Sequence, residues 1–416
     1  MKTNPNPMRP GWNRNGDNGG LMRPETLDFL LSPAGQAAAA ALSDDDLAPS
    51  AHLATAERLR TALGSETAGA VLELAQLRQR ARAKFSRADV MFFTRDGLEQ
   101  ATAEPVAGHR AARFAAVGAA VVADLGCGIG GDALTLARAG AVVAAVDLVW
   151  EHVVLTRANA GAYSVADRLL PVQADLLQLP PLPVDAFFFD PARRTPTGPQ
   201  YAPGRRLWSV EAYRPPLSLI DAWRSTVPHG AVKISPGVDY IELPPAAEVE
   251  FVSLRGEVKE AVLWYGDLRG AAGRRATLLP GGETLTDLEA EDLTVIAPRA
   301  YLHEPDGAII RAHLVGQLAA RLSATLIDPE IAYLSGDTPL DSSLARSYHL
   351  EDYFPFSLKR LRGYLRERGV GSVTIKKRGS PLDLDVLRQA LRLHGEAHRT
   401  IFLTRVMGRP TVLIAE

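Results

Sequence analysis

Cysteine and long apolar runs are both scarce in this sequence. Cys127 is the single cysteine among 416 residues; this excludes an intramolecular disulfide and a thiolate metal cage, and we expect no metal centre. The longest apolar run, residues 114–123, is about half the length that a membrane span requires. Residues 1–20 lack the apolar stretch of a signal peptide. We therefore expect a cytoplasmic protein with no membrane segment.

Net charge is also nearly absent. The chain carries 46 lysines and arginines against 48 aspartates and glutamates, a formal charge of −2. This balance argues against a uniformly basic nucleic-acid coat protein and against an acidic disordered tail. With 46% hydrophobic and 23% charged residues, the composition is that of a folded soluble protein, and the length suggests two or three domains.

Local composition divides the chain into five segments. Residues 1–20 are rich in turn formers and poor in large apolar side chains, and are predicted to be disordered. Residues 21–90 carry Ala and Leu at helical spacing and predict a helical unit. Strands alternate with helices in residues 91–268, and residues 269–332 are a partly helical connector. Residues 333–416 are the last and most basic segment.

The alternation in residues 91–268 predicts an α/β fold with a Rossmann-like, doubly wound parallel sheet. A tight turn joins the last two predicted strands, 249–254 and 258–265, so the final strand is expected to be antiparallel. The Gly-rich stretch 270–282 predicts a linker or loop, so the sheet is expected to end with this hairpin. The earlier buried strands are predicted at 121–125, 142–146, 169–172, 184–189 and 231–234.

A glycine loop follows the first predicted strand and opens a helix. Its glycines, Gly126, Gly128 and Gly130, let the backbone adopt positive φ and approach a ligand closely. With Gly131 in place of Gly130, the loop also satisfies the dinucleotide fingerprint, and Asp147 lies about where a ribose-binding acid should be. The glycines alone therefore leave both a nicotinamide dinucleotide and S-adenosylmethionine open.

Asp124 favours S-adenosylmethionine. It precedes the first glycine by two residues, at the end of the strand, where it would repel a pyrophosphate. The ammonium and sulfonium groups of S-adenosylmethionine would instead be attracted to its carboxylate. We also expect Asp124 to cap the loop by accepting hydrogen bonds from backbone N–H groups.

Two further acids end the next two predicted strands. Asp147 can accept hydrogen bonds from both ribose hydroxyls, and Asp175 could reach the adenine amino group. One strand-end Asp is usually a turn former, but three at successive strand ends are seldom accidental. This ordered set resembles the class I S-adenosylmethionine-dependent methyltransferases, whose sheet also has an antiparallel last strand.

The fourth predicted strand leads into Asp190-Pro191-Ala192-Arg193. This motif resembles the Asn/Asp-Pro-Pro-aromatic loop of amino-methylating nucleic-acid methyltransferases. The resemblance implies that Asp190 orients the acceptor nitrogen or takes its proton. Arg193 stands where the aromatic would be, and it or its neighbour could stack on a base, bind a phosphate or form an internal salt bridge. Covalent uracil-C5 chemistry is excluded because the single cysteine lies inside the glycine loop.

The segment before the first strand resembles the one that leads into the catalytic domain of trimethylguanosine synthases. The matching residues are Thr102, Glu104, Val106, Ala107 and His109. The resemblance implies that Thr102 caps a helix and that Glu104 lies near the methionine end of the cofactor. An ordinary capped helix would also explain Thr102 fully and Glu104 in part.

The C-terminal segment concentrates positive charge. Residues 357–409 have a formal charge of +9, against −11 for the remainder. From about Tyr333 the chain resembles the THUMP-like domain that follows a class I methyltransferase domain in one bacterial family, chiefly through residues 375–379. The resemblance implies a C-terminal α+β domain that binds RNA, most plausibly structured RNA. The candidate RNA-binding cations are Arg360, Arg362, Lys376, Lys377 and Arg378.

These observations predict transfer of a methyl group from S-adenosylmethionine to a base nitrogen of structured RNA, with guanine N2 as the first acceptor to test. Three alternatives remain at this point. They are a methyltransferase acting on protein or a small molecule, a nicotinamide oxidoreductase, and a non-catalytic RNA-binding protein that keeps the methyltransferase fold.

Overall fold

The computed structural model describes residues 22–192 and 209–416. The predicted disorder of residues 1–20 lies outside these ranges. The helices are α1 (Pro24–Leu31), α2 (Pro33–Ala40), α3 (His52–Leu63), α4 (Ser65–Ala81), α5 (Arg95–Gln100), α6 (Glu104–Ala116), α7 (Gly131–Arg138), α8 (Trp150–Ala162), α9 (Leu219–Thr226), α10 (Gly307–Arg311), α11 (Val315–Leu322), α12 (Leu358–Glu367) and α13 (Leu384–Leu391).

The strands belong to two sheets. Those of the first are β1 (Val121–Leu125), β2 (Val142–Asp147), β3 (Leu169–Gln173), β4 (Ala186–Phe189), β5 (Gly230–Ile234), β6 (Glu248–Leu254), β7 (Glu257–Tyr265), β8 (Arg274–Leu279) and β9 (Glu283–Thr286). Those of the second are β10 (Tyr301–Pro305), β11 (Thr325–Leu326), β12 (Leu334–Gly336), β13 (Ala345–Pro355), β14 (Val370–Lys377), β15 (Ala397–Val406) and β16 (Arg409–Ala415).

The first sheet has the order β3-β2-β1-β4-β5-β7-β6-β8-β9. Strands β1 to β5 run parallel to one another, and β7 runs antiparallel to both β5 and β6. The doubly wound sheet with an antiparallel strand is therefore confirmed. Its buried strands explain the continuous apolar runs, because helices cover both faces of such a sheet.

The sheet does not end at the β6–β7 hairpin, and this prediction was wrong. Strand β8 adds to β6 in parallel, and β9 pairs antiparallel with β8. The Gly-rich stretch predicted as a loop thus contains a strand. Its inward-facing residues, Ala276 and Leu278, are buried with Leu285 of β9. The alternation of apolar and polar residues in this stretch includes only three apolar residues, and glycines flank it. Periodicity alone therefore could not reveal the strand.

The N-terminal helices pack against one face of this sheet together with α6 to α8. Leu72 and Leu77 of α4 share a continuous apolar core with Phe114 of α6 and Leu134 of α7. The helical character predicted for this region is confirmed, and its core is continuous with that of the sheet. No helix within residues 22–192 or 209–416 has both the length and the apolar content needed to cross a membrane.

The second sheet has the order β11-β12-β10-β13-β16-β15-β14, with β14 parallel to β15. Helices α12 and α13 pack against its C-terminal half through buried leucines, among them Leu361, Leu365, Leu387 and Leu391. The α+β character predicted for the C-terminal domain is confirmed. The sheet begins at β10, so part of the predicted connector contributes strands to it.

Helices α10 and α11 join the two sheets. Ile309 and Leu318 lie in one apolar core with Phe251 of β6 and Leu278 of β8. Asp306 caps α10 by accepting from the Ala308 N–H at 2.8 Å, and its other oxygen accepts from the Ser253 hydroxyl at 3.0 Å. The C-terminal domain is thereby anchored to the strands that the first sheet adds beyond its parallel half.

Candidate functional site

The glycine loop lies between the ends of β1, β2 and β4. The Gly126 N–H donates to the Val146 carbonyl at 2.8 Å, and the Asp190 N–H donates to the Leu125 carbonyl at 3.1 Å. Gly126 has a φ of 86°, and a Cβ there would lie 2.8 Å from the Asp190 carbonyl oxygen. Only glycine fits such a backbone approach. The loop and the Asp190 motif are therefore in direct contact.

The other two predicted glycines also adopt positive φ. Gly128 has a φ of 55°, and Gly130, the residue before α7, has a φ of 91°. A Cβ on Gly130 would come within 3.1 Å of the Thr156 side chain. The loop thus leads its backbone directly into the N-terminus of α7, where N–H groups are free to bind a ligand.

Asp124 is almost completely buried next to this loop. Among the described residues, neither of its carboxylate oxygens makes a hydrogen bond of ordinary geometry, although the Ala133 amide in the first turn of α7 lies near enough to act on its pKa. Burial raises the pKa of Asp124 to about 7; Asp190 and Asp147 add to the rise, and Arg110 and the Ala133 amide oppose it. Capping of the loop by Asp124 stays a prediction. A buried carboxylate with so little hydrogen bonding is costly unless a ligand satisfies it, and a cationic group does so best.

Asp147 is the carboxylate that caps the loop with hydrogen bonds of ordinary geometry. One of its oxygens accepts from the Gly128 N–H at 2.9 Å, and the other accepts from the Val149 N–H at 2.8 Å. His152 lies 3.2 Å from the second oxygen; although burial opposes a charge there, Asp147 holds the pKa of His152 above its usual value. Asp147 is thus held rigidly at the end of β2, as its predicted contact with a ligand requires.

Asp175 lies two residues beyond β3 and is partly exposed. Its oxygens accept from the Leu177 N–H and from the Gln178 side chain, both at 3.0 Å. Its local role is therefore that of a turn former. The predicted contact with adenine stays a prediction.

Asp190 pairs with a lysine that sequence reasoning missed. One carboxylate oxygen of Asp190 lies 2.7 Å from the ammonium of Lys233, which also donates to the Thr102 hydroxyl at 3.0 Å. Lys233 is 4% exposed. A lysine inside a strand predicted to be buried was the available signal, because lysine is seldom buried without a partner. The expectation that Thr102 caps α6 is wrong: the N-cap residue is Ala103, which makes no side-chain cap.

A second buried ion pair network lies beside this one. Arg110 of α6 contacts both Asp132 and Glu260, and its guanidinium lies 4.2 Å from the centre of the Phe188 ring. All three charged side chains are less than a tenth exposed. This arrangement clamps α6 to α7 and to β7.

Glu104 is held by neighbouring side chains, and its predicted place near the methionine end of the cofactor stays a prediction. Its oxygens accept from the N–H and hydroxyl of Ser86 and from Tyr163, and it pairs with Arg138 at the far end of α7. These partners hold the start of α6 against the N-terminal helices. The observed contacts assign Glu104 a structural role.

Arg193 lies outside the described residues. The described residue before it, Ala192, exchanges two backbone hydrogen bonds of 3.0 and 3.1 Å with Arg214. Arg214 is exposed. An arginine therefore lies next to the Asp190 loop, at a position that sequence reasoning did not identify.

Comparisons with known proteins show the family to which this chain belongs. Over 348 residues, 81% of this chain and 92% of the relative, the chain is 35% identical to a protein of Mycobacterium tuberculosis described as an uncharacterized S-adenosylmethionine-dependent methyltransferase; the match is the same in two strains. The chain belongs to the S-adenosylmethionine-dependent methyltransferase family. The predicted cofactor is thereby confirmed, and the nicotinamide alternative is set aside.

Family models divide the methyltransferase into three matched regions. Residues 119–215 match the RNA cap guanine-N2 methyltransferase family, residues 345–416 match the THUMP domain-like family, and residues 23–81 match a domain of unknown function. A crystal structure of a methyltransferase from Porphyromonas gingivalis W83 shares the fold. The match covers 90% of this chain and 98% of the Porphyromonas gingivalis chain, with a TM-score of 0.68 and 20% identity.

The cofactor fits the site in chemical terms. Asp124 offers a buried carboxylate without an ion-pair partner among the described residues, and S-adenosylmethionine carries an ammonium and a sulfonium group. The glycine loop leaves backbone room beside it. No group of three or more candidate metal ligands is found within residues 22–192 and 209–416.

The basic segment of the methyltransferase divides into paired and free cations. Lys376 pairs with Glu304, and Arg378 donates to the Ala332 carbonyl while stacking 4.6 Å from the centre of Tyr333. Lys377 donates to the Leu382 carbonyl at 2.9 Å. These three predicted RNA-binding cations therefore already have partners within the C-terminal domain.

Helix α12 presents the free cations. Its apolar stripe is buried, whereas Lys359, Arg360, Arg362 and Arg366 are exposed. None of these four forms an ion pair with any residue in the described ranges. The guanidinium of Arg360 lies 4.1 Å from the centre of the Phe354 ring, which fixes its position. We call these four residues the α12 cation face.

Proposed function

We propose that this methyltransferase modifies a base nitrogen of structured RNA, with guanine N2 as the first acceptor to test. The observation that carries the proposal is the contact between the glycine loop and the Asp190 motif, whose carboxylate ends β4 beside the cofactor site. Ligands of such sheets bind at the carboxyl ends of the strands. The guanine-N2 family match over residues 119–215 supports the choice of acceptor.

Three aspartates are proposed to hold the cofactor. Asp124 would neutralise its cationic amino-acid end, Asp147 would accept hydrogen bonds from the ribose hydroxyls, and Asp175 would accept one from the adenine amino group. Gly126, Gly128 and Gly130 would let the backbone approach it. When bound, S-adenosylmethionine supplies an electrophilic methyl group on a sulfonium, which leaves as the neutral thioether of S-adenosylhomocysteine.

Asp190 is proposed to act on the acceptor. Its carboxylate can accept a hydrogen bond from an exocyclic amino group and so direct the nitrogen lone pair toward the methyl group. The nitrogen must lose a proton as its new bond to carbon forms, and Asp190 is placed to take it. Arg214, and Arg193 beyond the described residues, would supply charge for a neighbouring phosphate or base.

The α12 cation face is proposed to bind the RNA backbone. Four exposed cations without ion-pair partners on one helix form a phosphate-binding surface. The THUMP domain-like match over residues 345–416 supports an RNA partner. Of the predicted contacts, Arg360 and Arg362 belong to this face, whereas Lys376, Lys377 and Arg378 would contribute only if they exchanged their present partners.

The test is to incubate the purified protein and labelled S-adenosylmethionine with total RNA from a strain that lacks its gene. Label is expected in RNA and, after digestion to nucleosides, in methylguanosine. RNA from the parent strain is the control and should accept less label, because its site is already methylated. Label that appeared only in protein or in small molecules would overturn the RNA proposal in favour of the alternative methyltransferase functions.

A further inference from the structure

Lys233 is a buried cation in the middle of the parallel sheet, next to the acceptor motif. Strand β4 ends at Phe189, which is paired with Val232 of β5, so the next residues of the two strands, Asp190 and Lys233, lie side by side. The ammonium lies 2.7 Å from one Asp190 oxygen and 3.0 Å from the Thr102 hydroxyl. The pair therefore follows from the register of the two strands.

The charged groups around Lys233 show why a positive charge is found at this buried position. Burial raises the pKa of Asp124, and Asp190 lies close enough for its charge to add to that rise. On the opposite side, burial together with the charge of Lys233 lowers the pKa of Lys84 to about 8. Lys84 itself is held by three carbonyl oxygens, including that of Leu98 at 2.7 Å. Lys233 is thus the cation that directly neutralises Asp190.

We propose that Lys233 is a positioning residue for methyl transfer, which compensates the charge of Asp190 and fixes the orientation of its carboxylate toward the acceptor. The inference rests on the proposed function, since it concerns how the acceptor base is held. Thr102 completes the arrangement, because its hydroxyl takes a second hydrogen bond of the ammonium and limits its rotation.

The pair also carries base specificity. An ionised carboxylate has only hydrogen-bond acceptors. The edge of guanine around N2 offers two adjacent donors, N1–H and the amino group, whereas the edge of adenine around N6 offers a donor beside the acceptor N1. A fixed carboxylate therefore matches guanine and repels the lone pair of adenine N1. By fixing the Asp190 carboxylate in place, Lys233 favours guanine.

The experiment compares four variants of the full-length protein: Lys233→Met, Lys233→Arg, Asp190→Asn and the double variant Lys233→Met/Asp190→Asn. Methyl transfer to guanine in RNA gives kcat and KM for each, and calorimetry gives its affinity for S-adenosylhomocysteine. Thermal unfolding is recorded for every variant, and rates are measured well below the lowest melting temperature. Lys259→Met, which removes a partly exposed lysine paired with Glu257, is the matched control.

We expect Lys233→Met to lower kcat at least tenfold, with KM for RNA and the affinity for S-adenosylhomocysteine changed less than threefold. Lys233→Arg should recover most of kcat, since arginine keeps the charge. In the Asp190→Asn background, Lys233→Met should lower kcat less than threefold, because a neutral side chain needs no counter-charge. The ratio of guanine to adenine methylation should fall in both Asp190→Asn variants. The melting temperature should fall for Lys233→Met and recover in part for the double variant.

Two outcomes would overturn the inference. One is an unchanged kcat in a folded Lys233→Met protein. The other is an equal loss of kcat with and without Asp190, which would show that Lys233 acts on the fold as a whole. Failure of the proposed function has a different signature: the wild-type protein would then methylate no RNA. In that case the melting temperatures of the four variants still report whether the two side chains are coupled.

Discussion

Charged side chains differ in burial and in pairing between the two halves of this methyltransferase. On the helix-covered face of the first sheet, charged side chains are buried and paired, as in the contacts of Arg110 with Asp132 and Glu260. On α12 they are exposed and have no ion-pair partner within the described ranges. Asp124 is the exception in the first region, since it is buried without an ion-pair partner in the described ranges. The comparison shows that a charged side chain is a candidate for ligand binding when it has no ion-pair partner, whether it is buried or exposed.

The largest expected effect is on the chemistry itself. Asp190→Ala removes the acceptor of the proposed proton and hydrogen bond, so we expect kcat to fall by about 10²–10⁴-fold. The affinity for S-adenosylhomocysteine, measured by calorimetry, should change little, because Asp124 and Asp147 are intact. A variant that kept its turnover would remove Asp190 from the mechanism.

The next effect is on stability. Arg110→Met leaves Asp132 and Glu260 buried without their cation, and we expect a loss of about 3–5 kcal/mol in the free energy of unfolding. Arg58→Met breaks the exposed pair with Asp46 and should have a much smaller effect on the free energy of unfolding. Urea unfolding followed by circular dichroism measures both. Equal costs would contradict the distinction between buried and exposed pairs.

The α12 cation face should act on RNA binding alone. Reversing the charge of Arg360, Arg362 and Arg366 to glutamate is expected to weaken RNA affinity about 10–100-fold at low salt and to reduce the slope of log affinity against log salt by about 2–3. Filter binding across a salt series measures both quantities. The matched control reverses Arg58, Arg60 and Arg80 in the N-terminal helices. A similar loss in the control would mean that only overall charge matters.

The smallest effect concerns pH. Because the pKa of Asp124 is raised to about 7, the carboxylate is mostly protonated at pH 6, and a bound ammonium group favours the ionised form. The affinity for S-adenosylhomocysteine should therefore rise by up to about tenfold between pH 6 and 7.5 and then level off. In Asp190→Asn the rise should occur at lower pH, since one neighbouring charge is gone. An affinity that is independent of pH in this range would contradict the proposed role of Asp124.

Much of the methyltransferase half could be predicted from sequence because its signals are local. The strand, the glycines and the acid before them lie within a dozen residues, and each has a direct backbone consequence such as the positive φ of Gly126. Capping of the loop by Asp147 was not expected, however. Which of two nearby carboxylates accepts the loop N–H depends on sub-ångström placement that no local pattern encodes.

The segment before β1 shows where the resemblance misled. Thr102 and Glu104 match a motif, but their partners are Lys233 and Arg138. Strands β8 and β9 were missed for a different reason. Their burial comes from α10 and α11, which lie further along the chain, so the short alternation of residues 274–286 had no context in the sequence.

The sequence by itself determined the class of fold, the cofactor loop and the concentration of positive charge near the C-terminus, since each depends on neighbouring residues. Only the tertiary structure decided which charges remain available. Lys376 is satisfied by Glu304, 72 residues away, and Asp190 by Lys233, 43 residues away, whereas the α12 cation face has no such partner in the parts of the chain that are described. Ion pairs form between side chains that the fold brings together in space, and sequence spacing carries no information about them.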